Sequence, residues 1–96
     1  MAETTLTVQH EAGLHARPLA QFVKLARQYD ATVEVTNLTR EKGPANGTSP
    51  LKLMLLAVLQ GHEITISATG PQANEAVAAL QALVERNFEE GSEPEA

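Results

Sequence analysis

The chain has 96 residues, no cysteine and a formal net charge of −5 at pH 7. This length allows one domain around one core, and the lack of cysteine excludes a disulfide scaffold and thiolate metal ligands and fits a reducing cytoplasm. Because phosphate backbones attract concentrated lysine and arginine, the acidic composition argues against nucleic acid as a partner.

The N-terminal stretch MAETTLTV has neither the basic region nor the long apolar region of a signal peptide. The longest apolar run, residues 53–59, is too short to cross a bilayer. We therefore expect a cytoplasmic protein without membrane insertion. Aromatic residues are scarce, which predicts an aliphatic, alanine-rich core.

Residues 4–9 alternate in polarity, with Leu6 and Val8 on one face, which predicts a half-buried strand. The loop that follows contains His10. The five-residue spacing between His10 and His15 does not suit a pair of metal ligands on a helix. We therefore predict no metal site and interpret His10 as a loop histidine.

The stretch GLHARP, residues 13–18, joins this strand to a long helical pattern. Gly13 allows a sharp turn, and Pro18 is tolerated in a first helical turn because its missing N–H has no intrahelical partner there. His15 therefore falls near the N-cap, where free N–H groups and the helix dipole favour anions such as phosphate. Arg17 adds a planar set of donors. This placement predicts a neutral, nucleophilic His15 that accepts phosphate, although a lone histidine at a helix start is more often an exposed cap.

The first helix is predicted over residues 16–29. Lys24 and Arg27 lie on roughly the same side of it as Arg17. This positive cluster has two interpretations: a solvated face whose cations suit the helix C-terminus, or a docking surface for acidic partners around the histidine. Apolar residues at three- and four-residue steps define the buried face: Pro18, Leu19, Phe22, Val23, Leu25, Ala26 and Tyr29.

A second strand is predicted over residues 32–36, with its two valines inward. Segment 37–46 is polar and has no clear period. We expect a short third strand near Ala45, and Pro44 favours the edge of the sheet because proline cannot donate to a ladder.

Ser49 followed by Pro50 predicts the start of a short second helix, with serine as the N-cap and proline at the first helical position. The run 51–59 has more apolar residues than one buried stripe needs. It is interpreted either as a partly exposed contact patch or as a fully buried helix. The positions that can face the core are Leu51, Met54, Leu55 and Val58.

Gly61 is predicted to close this helix as a left-handed cap, and His62 to be an exposed loop residue. Residues 63–68 alternate cleanly, which predicts a strand in the middle of the sheet. The last helix is predicted over residues 72–88. Segment 89–96 is acidic and predicted to be a disordered tail.

The predicted order is strand, helix, strand, strand, short helix, strand, helix, within one domain of residues 1–88. Two long amphipathic helices on one face of an antiparallel four-stranded sheet bury the apolar surfaces of both layers. We therefore predict an α+β fold, an open-faced sandwich with two long helices and one short helix.

GLHARP followed by an apolar helix resembles the active-site segment of the HPr family, the histidine phosphocarrier proteins of the bacterial sugar phosphotransferase system. The resemblance covers nearly the whole domain, and the open-faced sandwich is also the HPr fold. It implies that His15 is the phosphorylated residue and Arg17 its phosphate partner. The N–H groups of Ala16 and Arg17 would then hold the phosphoryl group.

Residues 46–54 are similar to the stretch around the family's regulatory serine, which falls on Ser49. Exposed apolar residues of the following helix touch partner proteins in the family, which points to Leu51 and Met54. Pro50 stands where family members usually have another residue, and the segment before Ser49 is a few residues longer than usual. Two interpretations of Ser49 stand: a helix cap or a phosphorylation site.

On this resemblance, the protein would accept a phosphoryl group from phosphorylated enzyme I and pass it to sugar-specific IIA proteins. It would be a carrier and not an enzyme, a monomer, and would need no cofactor. A serine kinase/phosphorylase and a transcriptional regulator are further implied partners. Two alternatives stand: an HPr-like regulatory protein that acts through His15 or Ser49 outside sugar transport, and a small metabolite-sensing α+β domain.

Overall fold

The computed structural model describes residues 2–88, and the acidic segment predicted as a tail, 89–96, lies outside the described residues. Its elements follow the predicted order: β1 (Ala2–Thr7), α1 (Ala16–Ala26), β2 (Thr32–Asn37), β3 (Lys42–Asn46), α2 (Pro50–Met54), β4 (Glu63–Thr69) and α3 (Ala73–Glu85).

The four strands form one antiparallel sheet in the order β1-β4-β2-β3. β4 lies in the interior of the sheet, between β1 and β2, as its clean alternation predicted. Ile64 lies opposite Leu6 of β1, and Ile66 lies opposite Val35 of β2. β3 is at the edge, where Pro44 does not interrupt a ladder on both sides. The predicted third strand and its edge position are therefore confirmed.

The long helices cover one face of this sheet. α3 packs on β1, β2 and β4, and α1 packs against α3 and α2. The core between the layers is aliphatic and rich in alanine, with Phe22 as its largest fully buried side chain. Polar side chains occupy the other face, where the hydroxyl oxygens of Thr5 and Thr65 are 3.2 Å apart. The predicted α+β open-faced sandwich is confirmed.

All three helices are shorter than predicted. α1 ends at Ala26 because Gln28 N–H bonds to the Leu25 carbonyl oxygen, a tighter turn than the α-helix makes. α3 ends at Glu85, since Asn87 and Phe88 have φ values of 60° and 59° and cannot continue a right-handed helix.

α2 ends at Met54, and Ala57 has a φ of 54°. The segment 55–62 is consequently a loop, and Gly61 turns within this loop and does not cap the helix. His62 is half-buried and not fully exposed as predicted: its Nδ1 accepts a hydrogen bond from the Leu59 N–H at 3.1 Å.

The core positions predicted in the run 51–59 are mostly wrong. Leu51 is 66% exposed, Met54 is 49% exposed and Leu55 is 66% exposed. The buried residues are Leu53, Leu56 and Val58. The prediction assumed one continuous helix, whereas the chain leaves the helix after Met54 and presents different side chains to the core. The interpretation of this run as partly exposed is therefore the correct one.

Within residues 2–88, no helix has the length and apolar character needed to cross a membrane.

Candidate functional site

His15 stands at the N-cap of α1, as GLHARP predicted. Its backbone is extended, with φ −138° and ψ 169°, and its ring is half-buried and makes no capping hydrogen bond to the helix. The N–H groups of Ala16 and Arg17 lie in the first turn, where helix geometry supplies no acceptor, and Pro18 has no N–H to offer. The start of α1 therefore presents donors that its own N-cap side chain does not use.

Arg17 is exposed at this helix start. Among the residues that the structure describes, its guanidinium has no hydrogen-bond or ion-pair partner. A guanidinium with free donors beside unused backbone amides suits the oxygens of a phosphoryl group.

The imidazole of His15 is held from the other side by the preceding loop. Its Nδ1 lies 3.3 Å from the carbonyl oxygen of Ala12. Since a carbonyl oxygen can only accept, Nδ1 carries the proton when this bond forms, and Nε2 then has the free lone pair.

At Gly13 and Leu14, this loop packs closely against the segment that follows α2. Leu14 is fully buried, and its N–H donates to the Val58 carbonyl oxygen at 3.0 Å. Gly13 has a φ of 64°, and a Cβ there would lie 2.3 Å from the same oxygen. This support was not evident from the sequence, because Val58 falls within the apolar run predicted to be helical.

Ala16 has a φ of 51°, which is uncommon for a residue with a Cβ. Such a conformation costs about 1–2 kcal/mol and persists only where the surroundings impose it. Here it falls directly after His15, on a residue whose N–H the site would use.

One cation of the predicted positive cluster, Arg27, is hydrogen-bonded within the protein. The Arg27 guanidinium donates to the Thr48 carbonyl oxygen at 3.0 Å and so connects α1 to the residue before Ser49. Lys24, Arg27 and Pro50 line a shallow depression between α1 and α2. Exposed Leu51 begins the apolar surface beside it.

Ser49 is the N-cap of α2, and its Oγ accepts a hydrogen bond from the Lys52 N–H at 3.3 Å. The capping role predicted from Ser49 and Pro50 is therefore confirmed. Within residues 2–88, no group of three or more histidine, aspartate or glutamate side chains is placed to hold a metal ion.

The chain matches the family model for the "PTS HPr component phosphorylation site" over residues 2–86. It is 44% identical over 86 residues to phosphocarrier protein HPr of Vibrio cholerae, a match that covers 90% of this chain and 98% of that protein. It is 36% identical over 86 residues to phosphocarrier protein NPr of Escherichia coli, covering 90% of this chain and 93% of that protein. A crystal structure of HPr from Thermoanaerobacter tengcongensis superposes with a TM-score of 0.87 at 35% identity, covering 97% of this chain and 99% of that chain.

An open-faced sandwich with a histidine at the start of its first helix defines the class of fold and site. The chain belongs to the HPr family of the phosphotransferase system. It is thus a phosphocarrier protein and not an enzyme, as the sequence predicted.

Proposed function

We propose that this phosphocarrier accepts a phosphoryl group on His15 from phosphorylated enzyme I and passes it to sugar-specific IIA proteins during sugar uptake. The observation that carries the proposal is the start of α1, where His15 leaves the first-turn amides uncapped beside a free Arg17 guanidinium. The family assignment leaves a metabolite-sensing domain without support.

Transfer would proceed in line between two imidazoles. A neutral ring nitrogen of His15 forms a bond to phosphorus as the bond from phosphorus to the donor histidine breaks, and the electron pair of that bond returns to the donor ring. The N–H groups of Ala16 and Arg17 and the Arg17 guanidinium would face the phosphoryl oxygens and stabilise their charge. No metal or organic cofactor is required in this step.

The partner proteins would dock on the surface around this site. Lys24 is exposed on α1 and Arg27 at its C-cap, and Leu51 and Met54 are exposed on α2. A surface that combines cations with large apolar side chains suits partners with acidic and apolar residues. We propose a cytoplasmic monomer that meets enzyme I and the IIA proteins in turn.

The test is labelling with purified enzyme I and phosphoenolpyruvate. We expect an acid-labile, alkali-stable phosphate on the wild-type chain and none on His15→Ala. Adding a IIA protein should then remove the label from the carrier. A wild-type chain that takes no label, or a His15→Ala chain that is labelled equally, would overturn the proposal.

A second candidate function is regulation through Ser49 outside sugar transport, by a serine kinase/phosphorylase and a transcriptional regulator. One observation favours it: Ser49 opens α2, and the Arg27 guanidinium is bonded to the neighbouring Thr48 carbonyl. A phosphate on Ser49 would therefore meet a helix N-terminus and a nearby cation. ATP-dependent labelling of Ser49 without labelling of His15 would support this alternative.

A further inference from the structure

The amide side chain of Asn37 is buried within the apolar core. Asn37 is the last residue of β2 and follows Val33 and Val35 on the inward face of the sheet. Its exposed fraction is 0%, and within residues 2–88 it is the one buried polar side chain. Since burying an amide costs stability unless its polar atoms are bonded, this side chain requires partners in the core.

Both ends of the Asn37 amide are bonded. Nδ2 donates to the Leu56 carbonyl oxygen at 2.9 Å, and Oδ1 accepts the Arg40 N–H at 3.2 Å. Nδ2 also lies 3.3 Å from Nδ1 of His62. That ring nitrogen accepts the Leu59 N–H at 3.1 Å, so it is an acceptor for the Asn37 amide as well. Asn37 and His62 together therefore bond the loop after α2 at Leu56 and at Leu59.

These two bonds lie on either side of Val58. The Val58 carbonyl oxygen accepts the Leu14 N–H at 3.0 Å, and Leu14 directly precedes His15. Segment 55–62 contains no helix or strand, so no regular ladder of hydrogen bonds fixes the direction of its carbonyl groups. The bonds on either side therefore determine where the Val58 carbonyl points, and through it the position of the residue before His15.

We propose that Asn37 is a positioning residue for the site at His15. Its amide keeps the Val58 carbonyl against the Leu14 N–H and so holds the backbone at the start of α1 in place. An apolar side chain would fill the same volume, but it would leave the Leu56 carbonyl oxygen without this donor. The consequence for phosphoryl transfer rests on the proposed function, whereas the effect on Leu14 does not.

Three variants test this assignment. Asn37→Asp has almost the same shape and keeps an acceptor for the Arg40 N–H, but it replaces the amide donor with an oxygen. His62→Leu removes the ring acceptor on the other side of the same loop, and it serves as the test if Asn37→Asp does not fold. Thr39→Val is the matched control, because it removes the bond from the Glu63 N–H to Thr39 Oγ1 at 2.9 Å without touching the loop after α2.

The first readout is hydrogen exchange of the Leu14 amide, measured against the amide of Ile66. Ile66 is fully buried in the interior of the sheet, so its exchange reports the stability of the whole fold, whereas exchange of Leu14 also reports local opening of the loop. In Asn37→Asp and His62→Leu, we expect exchange of Leu14 to accelerate about tenfold more than exchange of Ile66. In Thr39→Val, both should change alike. Equal changes at the two amides in a folded Asn37→Asp or His62→Leu protein would overturn the proposal.

The second readout is labelling by enzyme I at saturating concentrations of the carrier. The maximal rate should fall about three- to tenfold in Asn37→Asp, the size expected when one hydrogen bond that positions the site is lost, and stay within about twofold of wild type in Thr39→Val. If the wild type takes no label, the proposed function fails, and the exchange of Leu14 still decides whether Asn37 holds the loop. A labelled wild type with an unchanged rate in Asn37→Asp would overturn the role of Asn37 in transfer.

Discussion

The first turns of α1 and α2 have similar residue types, but only α2 has a hydrogen bond from its N-cap side chain. Each helix follows a residue with extended backbone, His15 or Ser49, and each has a proline in its first turn. Ser49 accepts a hydrogen bond from the Lys52 N–H, whereas the His15 side chain makes no such bond to α1.

This difference separates a structural helix start from one that can bind an anion. At α2, the serine hydroxyl uses a donor that would otherwise be free, and the local dipole is partly compensated. At α1, the imidazole turns back toward the Ala12 carbonyl and leaves the first-turn amides to an outside ligand. A helix N-terminus thus becomes a candidate phosphoryl site when its N-cap side chain bonds elsewhere.

The largest expected difference between the two helix starts is the stability cost of placing alanine at the glycine three residues before each helix. Gly13→Ala should lower the free energy of unfolding by about 3 kcal/mol, because the new Cβ would meet the Val58 carbonyl oxygen at 2.3 Å and the φ of 64° is unfavourable for alanine. Gly47→Ala should cost less, about 1–2 kcal/mol, since its Cβ would meet the Val33 side chain at 2.7 Å but no positive φ adds to this cost. Urea denaturation measures both. Equal losses would show that the approach to α1 is no more constrained than the approach to α2.

Removing the free guanidinium should affect transfer far more than folding. Arg17→Ala should reduce the rate of labelling by enzyme I about a hundredfold, as for the loss of one donor to a developing anion. Its melting temperature should stay near that of the wild type because Arg17 is exposed. The matched control is Arg27→Ala, which removes the cation bonded to Thr48 and should slow labelling much less. A larger loss in Arg27→Ala would place the phosphoryl group nearer α2.

Replacing the two N-cap residues by alanine should affect stability to different extents. Ser49→Ala should lower the free energy of unfolding by about 1 kcal/mol, since the Lys52 N–H loses its acceptor. His15→Ala should change it by less than about 0.5 kcal/mol, because no capping bond is lost. Ser49→Asp keeps an acceptor and is the control. A comparable loss in His15→Ala would contradict the comparison on which the site depends.

A small gain in stability is expected at the strained residue beside His15. Ala16→Gly should raise the free energy of unfolding by about 0.5–1 kcal/mol, because glycine adopts a φ of 51° without the Cβ penalty. Ala57→Gly, at a φ of 54° after α2, should give a similar gain and serves as the control away from the site. Thermal melts resolve both changes. A slower labelling rate in Ala16→Gly alone would show that the strain at α1 assists transfer.

Local patterns in the sequence determined the elements, the open-faced sandwich, the cap at Ser49 and the place of His15 at a helix start. These features depend on neighbouring residues, because alternation, helical periodicity and the Ser-Pro and GLHARP patterns act within one or two turns of chain. They were readable before any contact was known.

Only the tertiary structure decided which leucines after Ser49 are buried, that the Val58 carbonyl bonds to Leu14, and that His10 packs against Phe88. Each of these depends on residues distant in sequence, whose meeting is set by packing of the core and not by local preference. The sequence placed His15 at the start of a helix, and the fold determined which backbone group lies against its ring.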